Sequence, residues 1–161
     1  MPTYRDEDVL QVFWDGPFDL AVVFGHSGFN HMGDCWKKFQ DNVPDWATIR
    51  DPFRDLSGDP HEIGDRRWMT FVGPRKNNGL TDDQIHEALE SSLSWAHQRG
   101  LVSVITNGIQ DSDRGTTTEQ KDASDNRRAQ LIRKLVVKYE AESDLQITLT
   151  SLDGQYNRIA D

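Results

Sequence analysis

The order of apolar runs along the chain predicts an α/β layer fold. Short apolar runs alternate with longer stretches in which apolar residues recur at helical spacing, a pattern that favours this class over a helical bundle or a β-sandwich. One short run, 20–24 (LAVVF), is apolar throughout, as a strand covered on both faces would be. The chain has 161 residues, which is the length of one domain, and it contains no internal repeat.

The first elements along the chain are predicted to be two strands and a helix. Residues 9–14 (VLQVFW) and 20–24 form the strands, with the turn sequence Asp15-Gly16-Pro17 between them. Residues 32–43 form the helix, which Pro44 ends, and its apolar residues at helical spacing are Met32, Trp36, Phe39 and Val43. From 44 to 64 prolines and glycines interrupt every pattern, which predicts a long irregular loop.

The middle of the chain carries the clearest helix signal. Residues 68–72 (WMTFV) are predicted as a strand, and a helix then begins at Thr81, where Thr81 and Gln84 fit a capping box. Gly100 closes this helix as a C-cap glycine does. Its buried stripe is predicted to consist of Ile85, Ala88, Leu89, Ser92, Leu93 and Ala96.

The last third repeats the alternation of strand and helix. Residues 101–105 (LVSVI) form a buried strand, 106–118 are polar and marked by glycine, and 119–140 form a second long helix. Residues 145–149 (LQITL) form the last strand, and the tail 151–161 has room for a final turn or helix. The inner face of the second helix is predicted to be Ala129, Ile132, Leu135, Val136 and Tyr139.

Composition excludes several classes of function. The chain carries 27 acidic against 18 basic side chains, a net charge of −9, which argues against broad nucleic-acid binding. The single cysteine, Cys35, excludes an internal disulfide framework and a multi-cysteine metal site. Because no run approaches about 20 apolar residues and the N-terminus lacks a signal-peptide core, we expect an intracellular, cytoplasmic protein with no membrane partner. We expect no cofactor and no metal.

In open α/β sheets ligands bind where the carboxyl ends of the strands meet helix N-termini, and here that rule selects segments 25–33, 73–79 and 106–118. In the first segment, three glycines and Asn30 precede a helix. This composition fits a phosphate held by backbone N–H groups, and equally a turn that needs positive φ. His26 and His31 are better explained as surface or hydrogen-bonded histidines than as a metal pair or an acid/base.

The other two segments carry charged side chains. Arg75 and Lys76 follow the third strand and fit either a solvated turn or a diphosphate contact, with Lys76 a nucleophile if burial lowers its pKa. Asp111 and Asp113 follow the fourth strand and fit a general base or ribose contact, or an Asx turn or helix cap. The chain contains no GxSxG, Walker A or GxGxxG motif, which disfavours serine hydrolases, P-loop NTPases and Rossmann dehydrogenases.

Four stretches of the chain resemble the macro domain, the ADP-ribose-binding family. Residues 21–46 (AVVFGHSGFNHMGDCWKKFQDNVPDW) are similar to the family's strand, its His- or Asn-bearing loop, Met-Gly-x-Gly and a helix that ends near a proline. Residues 67–76 resemble the strand that carries a lysine in members that remove ADP-ribose from proteins. Residues 87–108 resemble the helix, strand and loop that supply the second phosphate loop, and 145–158 resemble the final strand and aromatic tail. The resemblance is to a compact form of the terminal ADP-ribose glycohydrolase or ADP-ribose-1″-phosphate phosphatase type.

The resemblance implies a single macro-like domain over residues 1–161, a three-layer α/β/α sandwich with a mixed central sheet. It implies that loops 28–33 and 107–110 clasp a diphosphate, that Asp15 or Asp19 contacts the adenine, and that Tyr156 lies against the base or ribose. Lys76 with Asp111 or Asp113 would carry any chemistry. The full set of ligand-binding residues implied in the two loops is His26, Ser27, Gly28, Asn30, Met32, Gly33, Asn107, Gly108, Ile109 and Gln110.

The sequence therefore predicts binding of ADP-ribose or a related NAD-derived nucleotide, free or on an ADP-ribosylated macromolecule. Hydrolysis of an ADP-ribosyl linkage or a terminal phosphate is the enzymatic form of this expectation. One alternative is a non-catalytic module that senses or sequesters a nucleotide signal. The other is a degenerate macro-like domain that binds proteins through its acidic surface.

Overall fold

The computed structural model describes residues 2–7, 9–24, 40–41, 59–64, 66–73, 81–107, 118–151 and 155–158. The described strands form one six-stranded sheet in the order β1-β6-β5-β2-β4-β3. In chain order the elements are β1 Thr3–Arg5, α1 Val9–Asp15, β2 Leu20–Phe24, β3 His61–Gly64, β4 Arg67–Val72, α2 Asp82–Gln98, β5 Ser103–Thr106, α3 Thr118–Glu142, β6 Gln146–Thr150 and α4 Gln155–Arg158.

The sheet is mixed, as the resemblance implied. Strands β1, β6, β5, β2 and β4 are all parallel to their neighbours, and β3 pairs antiparallel with β4. Because parallel strands point the same way, five carboxyl ends lie along one edge of the sheet and five amino ends along the other. We call these the carboxyl edge and the amino edge.

Helices cover both faces of the sheet and complete a three-layer α/β fold. Helices α2 and α3 pack on one face, where buried side chains such as Leu89, Leu93 and Val136 meet Val22 and Val104 of the sheet. Helix α1 packs on the other face. The hydrophobic core between α1 and the sheet consists of Val9, Leu10, Val12, Phe13, Ala21, Val23, Ile63, Met69, Phe71 and Ile105. Within the described residues, no helix is both long and apolar enough to cross a membrane.

Helix α2 has the ends that its sequence predicts. The Thr81 side chain accepts a hydrogen bond from the backbone N–H of Gln84, and the Gln84 side chain accepts one from the backbone N–H of Thr81. At the other end Gly100 has φ +72° and Leu101 donates to the carbonyl of Ala96, which is a Schellman motif. A side chain at the position of Gly100 would be strained, so the glycine fixes where α2 stops.

The predicted strand over residues 9–14 is wrong, because these residues form α1. Its buried residues are Val9, Leu10, Val12 and Phe13, which recur at helical spacing and do not alternate. A six-residue apolar run does not distinguish a strand from a buried helix by periodicity alone. The sheet begins earlier, with the short strand β1, which the sequence analysis did not detect.

The other predictions divide into confirmed, corrected and outside the described residues. Strands 20–24, 68–72, 101–105 and 145–149 are confirmed within two residues, as are both long helices. The loop predicted over 44–64 is wrong at its end, where His61–Gly64 forms β3 beside β4. The remainder of that loop to residue 58, and the helix predicted over 32–43 except for residues 40–41, which are helical, lie outside the described residues.

Candidate functional site

The carboxyl edge is where the structure places the ends of the strands that lead into the predicted ligand segments. Strands β2, β4 and β5 end there at Phe24, Val72 and Thr106. Segments 25–33, 74–79 and 108–117, which continue from these strands, lie outside the described residues. The described part of the candidate site is therefore the set of side chains that hold these three strand ends.

Asn107 fastens the ends of two neighbouring strands. The pairing of β2 with β5 ends at Val22 and Thr106, and the Asn107 side chain then continues the ladder. Its Oδ1 accepts the backbone N–H of Phe24 at 2.9 Å, and its Nδ2 donates to the carbonyl of Phe24 at 3.0 Å. An amide side chain can do this because it carries the same donor and acceptor as a peptide group. Asn107 thus fixes the points from which segments 25–33 and 108–110 depart.

Tyr156 closes the same edge from the last helix. Its side chain is 1% exposed, and its hydroxyl donates a hydrogen bond to the backbone carbonyl of Asn107. Its ring stacks on that of Tyr4 in β1, with centroids 6.3 Å apart. Burial, together with the neighbouring Tyr4, raises the pKa of the Tyr156 hydroxyl well above its usual value near 10, so the phenol stays a donor at neutral pH.

Asp6 is a carboxylate at this edge that sequence reasoning missed. It directly follows β1, whose carboxyl end is held to that of β6 by a hydrogen bond from the N–H of Ser151 to the carbonyl of Arg5. The Oδ1 of Asp6 accepts a hydrogen bond at 3.1 Å from Nδ2 of Asn157, the neighbour of Tyr156. The signal that would have found Asp6 is the short strand before it, since an acidic side chain after a parallel strand lies at the ligand edge.

Asp15 and Asp19 lie near the amino edge, at the other end of the sheet. Oδ2 of Asp19 accepts the backbone N–H groups of Val102 at 2.9 Å and Ser103 at 3.1 Å, at the start of β5. Asp15 ends α1, is exposed, and accepts a hydrogen bond from the side chain of Gln11 at 2.7 Å. The structure therefore does not bring either carboxylate to Asn107 and Tyr156.

The structure thus unites two of the predicted site residues, Asn107 and Tyr156. The remaining predicted positions lie outside the described residues: His26, Ser27, Gly28, Asn30, Met32, Gly33, Lys76, Gly108, Ile109, Gln110, Asp111 and Asp113. In the described part of the chain, no three His, Cys, Asp or Glu side chains are grouped as ligands of a metal ion.

Comparison with known proteins bears on the fold of this arrangement. No protein-family model and no curated protein matches the sequence. Among solved structures, the macrodomain of Thermus aquaticus DarG is similar, with a TM-score of 0.54 over 94% of this chain and 98% of that chain. The chain has a macrodomain-like fold.

The likeness to the DarG macrodomain is one of architecture, since the two chains share 12% sequence identity. It supports the fold that the resemblance implied and does not reach individual residues. In this macrodomain-like fold the carboxyl edge is the edge that Asn107, Tyr156 and Asp6 occupy, and these residues define the described part of the candidate site.

Proposed function

We propose that the carboxyl edge binds ADP-ribose or a related NAD-derived nucleotide, free or attached to a macromolecule. The observation that carries this proposal is the Asn107 clamp in a macrodomain-like fold. One side chain holds the end of β2 against the end of β5, and the two loops expected to clasp a diphosphate begin at these two ends. A fixed pair of loop origins favours binding, because it reduces the conformational entropy that the two loops lose when an anion binds.

In this proposal the diphosphate is held by backbone N–H groups of segments 28–33 and 107–110, which suits a protein with a net charge of −9. Asp6 takes the role that the resemblance gave to Asp15 or Asp19, since it is the one of the three that follows a carboxyl strand end. Tyr156 is buried and acts through the carbonyl of Asn107, so it is a positioning residue.

Calorimetric titration with ADP-ribose tests the binding proposal, followed by NAD, AMP and cyclic ADP-ribose. We expect micromolar affinity for ADP-ribose and weaker binding of AMP, which has a single phosphate to offer to the two loops. An absence of heat with every nucleotide at millimolar concentration would contradict the proposal. The acidic surface would then have to be tested against basic proteins.

Two matched variants distinguish a binding role from a folding role. Asn107 and Asp19 each bind two backbone groups on or next to the neighbouring strand. Asn107 does so at the carboxyl edge and Asp19 at the amino edge. Asn107→Ala is expected to weaken ADP-ribose binding about tenfold or more, which is about 1.4 kcal/mol. Asp19→Ala is expected to leave the affinity of the folded protein unchanged. Equal effects of the two variants would place the site elsewhere.

Hydrolysis is the further step of the proposal and rests on the resemblance. Lys76 as a neutral amine would attack the anomeric carbon and break its bond to the modified group, which leaves with a proton, and water would then release Lys76 by hydrolysis. Alternatively, Asp111 or Asp113 would take a proton from a water molecule that displaces the leaving group directly. Incubation with ADP-ribosylated protein and with ADP-ribose-1″-phosphate, followed by chromatography, measures both activities. Loss of turnover in Lys76→Ala or Asp113→Ala with retained binding is the result expected of an enzyme. Tight binding with no turnover in the unmodified protein supports the non-catalytic alternative.

A further inference from the structure

Helices α2 and α3 lie side by side on the same face of the sheet and carry opposite charge. Helix α2, Asp82–Gln98, contains four acidic residues and no Lys or Arg. In α3, the stretch 126–139 contains five basic residues and no Asp or Glu: Arg127, Arg128, Arg133, Lys134 and Lys138. The chain as a whole has a net charge of −9, whereas this stretch is positively charged.

Much of this charge faces away from the sheet. On α2, Asp83, Glu87 and Glu90 are exposed. On α3 the exposed cations Arg127, Lys134 and Lys138 follow at intervals of seven and four residues, which places them on one stripe of the helix. We call the outer surface of the two helices the charged face.

Ion pairs join the two helices within one copy at the start of α2. Asp82 binds Nε of Arg127 at 2.9 Å and Nε of Arg128 at 3.0 Å, at the start of α2. Glu90 lies 3.6 Å from the imidazole of His86 on its own helix. These ion pairs between α2 and α3 thus involve the first residue of α2, and Asp83, Glu87 and Glu90 further along this helix are exposed.

An exposed apolar residue lies between the two rows of charge. Leu131 is 42% exposed and lines a shallow hollow between the helices together with Ile85, His86 and Arg128. Of the three large apolar side chains that are exposed among the described residues, two, Leu131 and Val137, belong to α3. An apolar centre flanked by charge is the usual anatomy of a protein interface.

We propose that two copies of this chain associate through the charged face, about a two-fold axis parallel to the helices. An isologous contact requires a surface that is complementary to itself, so that each patch meets its opposite on the partner. A two-fold rotation about an axis that runs between the helices places α2 of one copy over α3 of the other, and the reverse. The acidic row then meets the basic row twice, and Leu131 of each copy lies near the axis.

The levels of the charges along the helices fit this arrangement. Both helices connect parallel strands and therefore run in the same direction, and the contact of Asp82 with Arg127 places these two residues at about the same level. At about 1.5 Å per residue, Glu87 and Glu90 lie about 8 and 12 Å beyond Asp82. Lys134 and Lys138 lie about 10 and 16 Å beyond Arg127 by the same rise. A rotation about an axis along the helices preserves these levels, so that the two acids of one copy alternate with the two lysines of the other.

The size of the charged face indicates a weak dimer. A helix of 17 residues is about 25 Å long, and two helices side by side are about 20 Å wide. Such a face covers about 500 Å² per copy, below the roughly 800 Å² of a standard stable interface. We therefore expect a salt-sensitive association with micromolar or weaker affinity. Because the axis is parallel to the helices, the carboxyl edges of both copies open to the same side.

Sedimentation velocity over a range of protein concentrations, at low and at high salt, measures the association. We expect a dimer at low salt whose dissociation constant rises at least about tenfold on adding salt to about 0.5 M, where the Debye length falls to a few ångströms. A chain that stays monomeric at low salt up to about 1 mM would overturn the proposal and leave the charged face to another partner.

Charge-swap variants test the pairing itself. Lys134→Glu with Lys138→Glu, and separately Glu87→Lys with Glu90→Lys, are each expected to abolish the dimer, because like charges then meet. An equimolar mixture of the two variants is expected to form a heterodimer, and the chain with all four substitutions is expected to regain the homodimer at the original net charge. Glu62→Lys with Asp144→Lys changes charge away from the charged face and should leave dimerisation intact. Failure of both the mixture and the four-fold variant to associate would overturn the two-fold arrangement.

Discussion

At each edge of the sheet, one polar side chain binds two backbone groups of a neighbouring strand or of the residue beside it. At the amino edge, the Asp19 carboxylate accepts two backbone N–H groups at the start of β5. At the carboxyl edge, the Asn107 amide binds the N–H and the carbonyl of Phe24 at the end of β2. Both are polar residues next to an apolar strand. Asp19 precedes its strand and Asn107 follows its strand, and this position decides which edge of the sheet each side chain holds.

The amino edge is further fastened by arginines that carry no expected ligand role. Arg67 donates to the carbonyl of Phe13 in the last turn of α1 and to those of Gly16 and Phe18 just after it. Its guanidinium lies 3.9 Å from the centre of the Phe13 ring. Arg99 lies over the rings of Trp68 and Trp95, 4.7 Å from each centre. Polar residues of the amino edge are therefore expected to affect stability, and those of the carboxyl edge both stability and binding.

The largest effect is expected for Arg67→Met at the amino edge. This change removes the donors to three carbonyls and the cation that stacks on Phe13, so the free energy of unfolding should fall by about 3 kcal/mol. Urea unfolding measures the loss. Arg67→Lys keeps the charge without the planar fork and should lose most of the same stability.

The affinity of the folded Arg67→Met protein for ADP-ribose should match that of the unmodified chain. A loss of affinity larger than the unfolded fraction explains would contradict the expectation that residues of the amino edge affect stability and not binding.

Asp19→Ala is expected to lower the free energy of unfolding by about 2 kcal/mol, because two N–H groups lose a charged acceptor. Asp19→Asn retains an acceptor oxygen and should lose about half as much. Urea unfolding and calorimetry on the same samples separate stability from binding. If Asp19→Ala abolished nucleotide binding with little loss of stability, the adenine contact that the resemblance implies would be right. Asp19 would then bind the ligand as well as the backbone at the amino edge.

Much of the fold could be predicted because its signals are local. The capping box of Thr81 and Gln84 and the terminal Gly100 define α2 through contacts between residues close in sequence. The run 9–14 failed because it is too short for its period to distinguish helix from strand. Strand β1 escaped detection because its three residues, of which none is fully buried, are paired by the distant β6.

The two predicted residues that the structure brings together, Asn107 and Tyr156, were predicted in different ways, and Tyr156 came from the resemblance alone. Asn107 was found because it directly follows the buried strand β5. Asp6 was missed because β1 was missed. The resemblance implied an adenine contact at Asp15 or Asp19, and the structure places both near the amino edge. The edge at which an acidic residue lies depends on the strand beside it, and the local sequence around Asp6 did not reveal β1.

A smaller effect is expected for Tyr156→Phe at the carboxyl edge. Removing the hydroxyl leaves the Asn107 carbonyl without this donor and should cost about 1 kcal/mol near neutral pH. Because burial raises the pKa of Tyr156 above its unfolded value near 10, this tyrosine favours the folded state below that pH, and its stabilisation is lost as pH rises above it.

The difference in unfolding free energy between the unmodified chain and Tyr156→Phe isolates that pH dependence. It should be flat at neutral pH and decline above about pH 10 by up to about 1.4 kcal/mol per pH unit. Urea unfolding at a series of alkaline pH values measures it. A difference that stays constant across this range would mean that the Tyr156 phenol titrates normally and is not sealed beneath the carboxyl edge.

The smallest effect is expected for Asp82→Asn. Asp82 lies at neither edge of the sheet and joins α2 to α3 through Arg127 and Arg128. Burial raises the pKa of Asp82, and hydrogen bonds from Arg128 and Arg127, with their positive charges, lower it by more, so the pKa ends below its usual 3.8. A lowered pKa stabilises the folded state above the unfolded value, and this stabilisation is lost as pH falls through the folded pKa. Since the ion pairs are partly solvated, we expect a loss of about 0.5 to 1 kcal/mol near neutral pH and almost none in acid. Urea unfolding of both proteins at neutral and acidic pH measures this, and an undiminished difference in acid would show that packing of the side chain, and not its charge, joins the two helices.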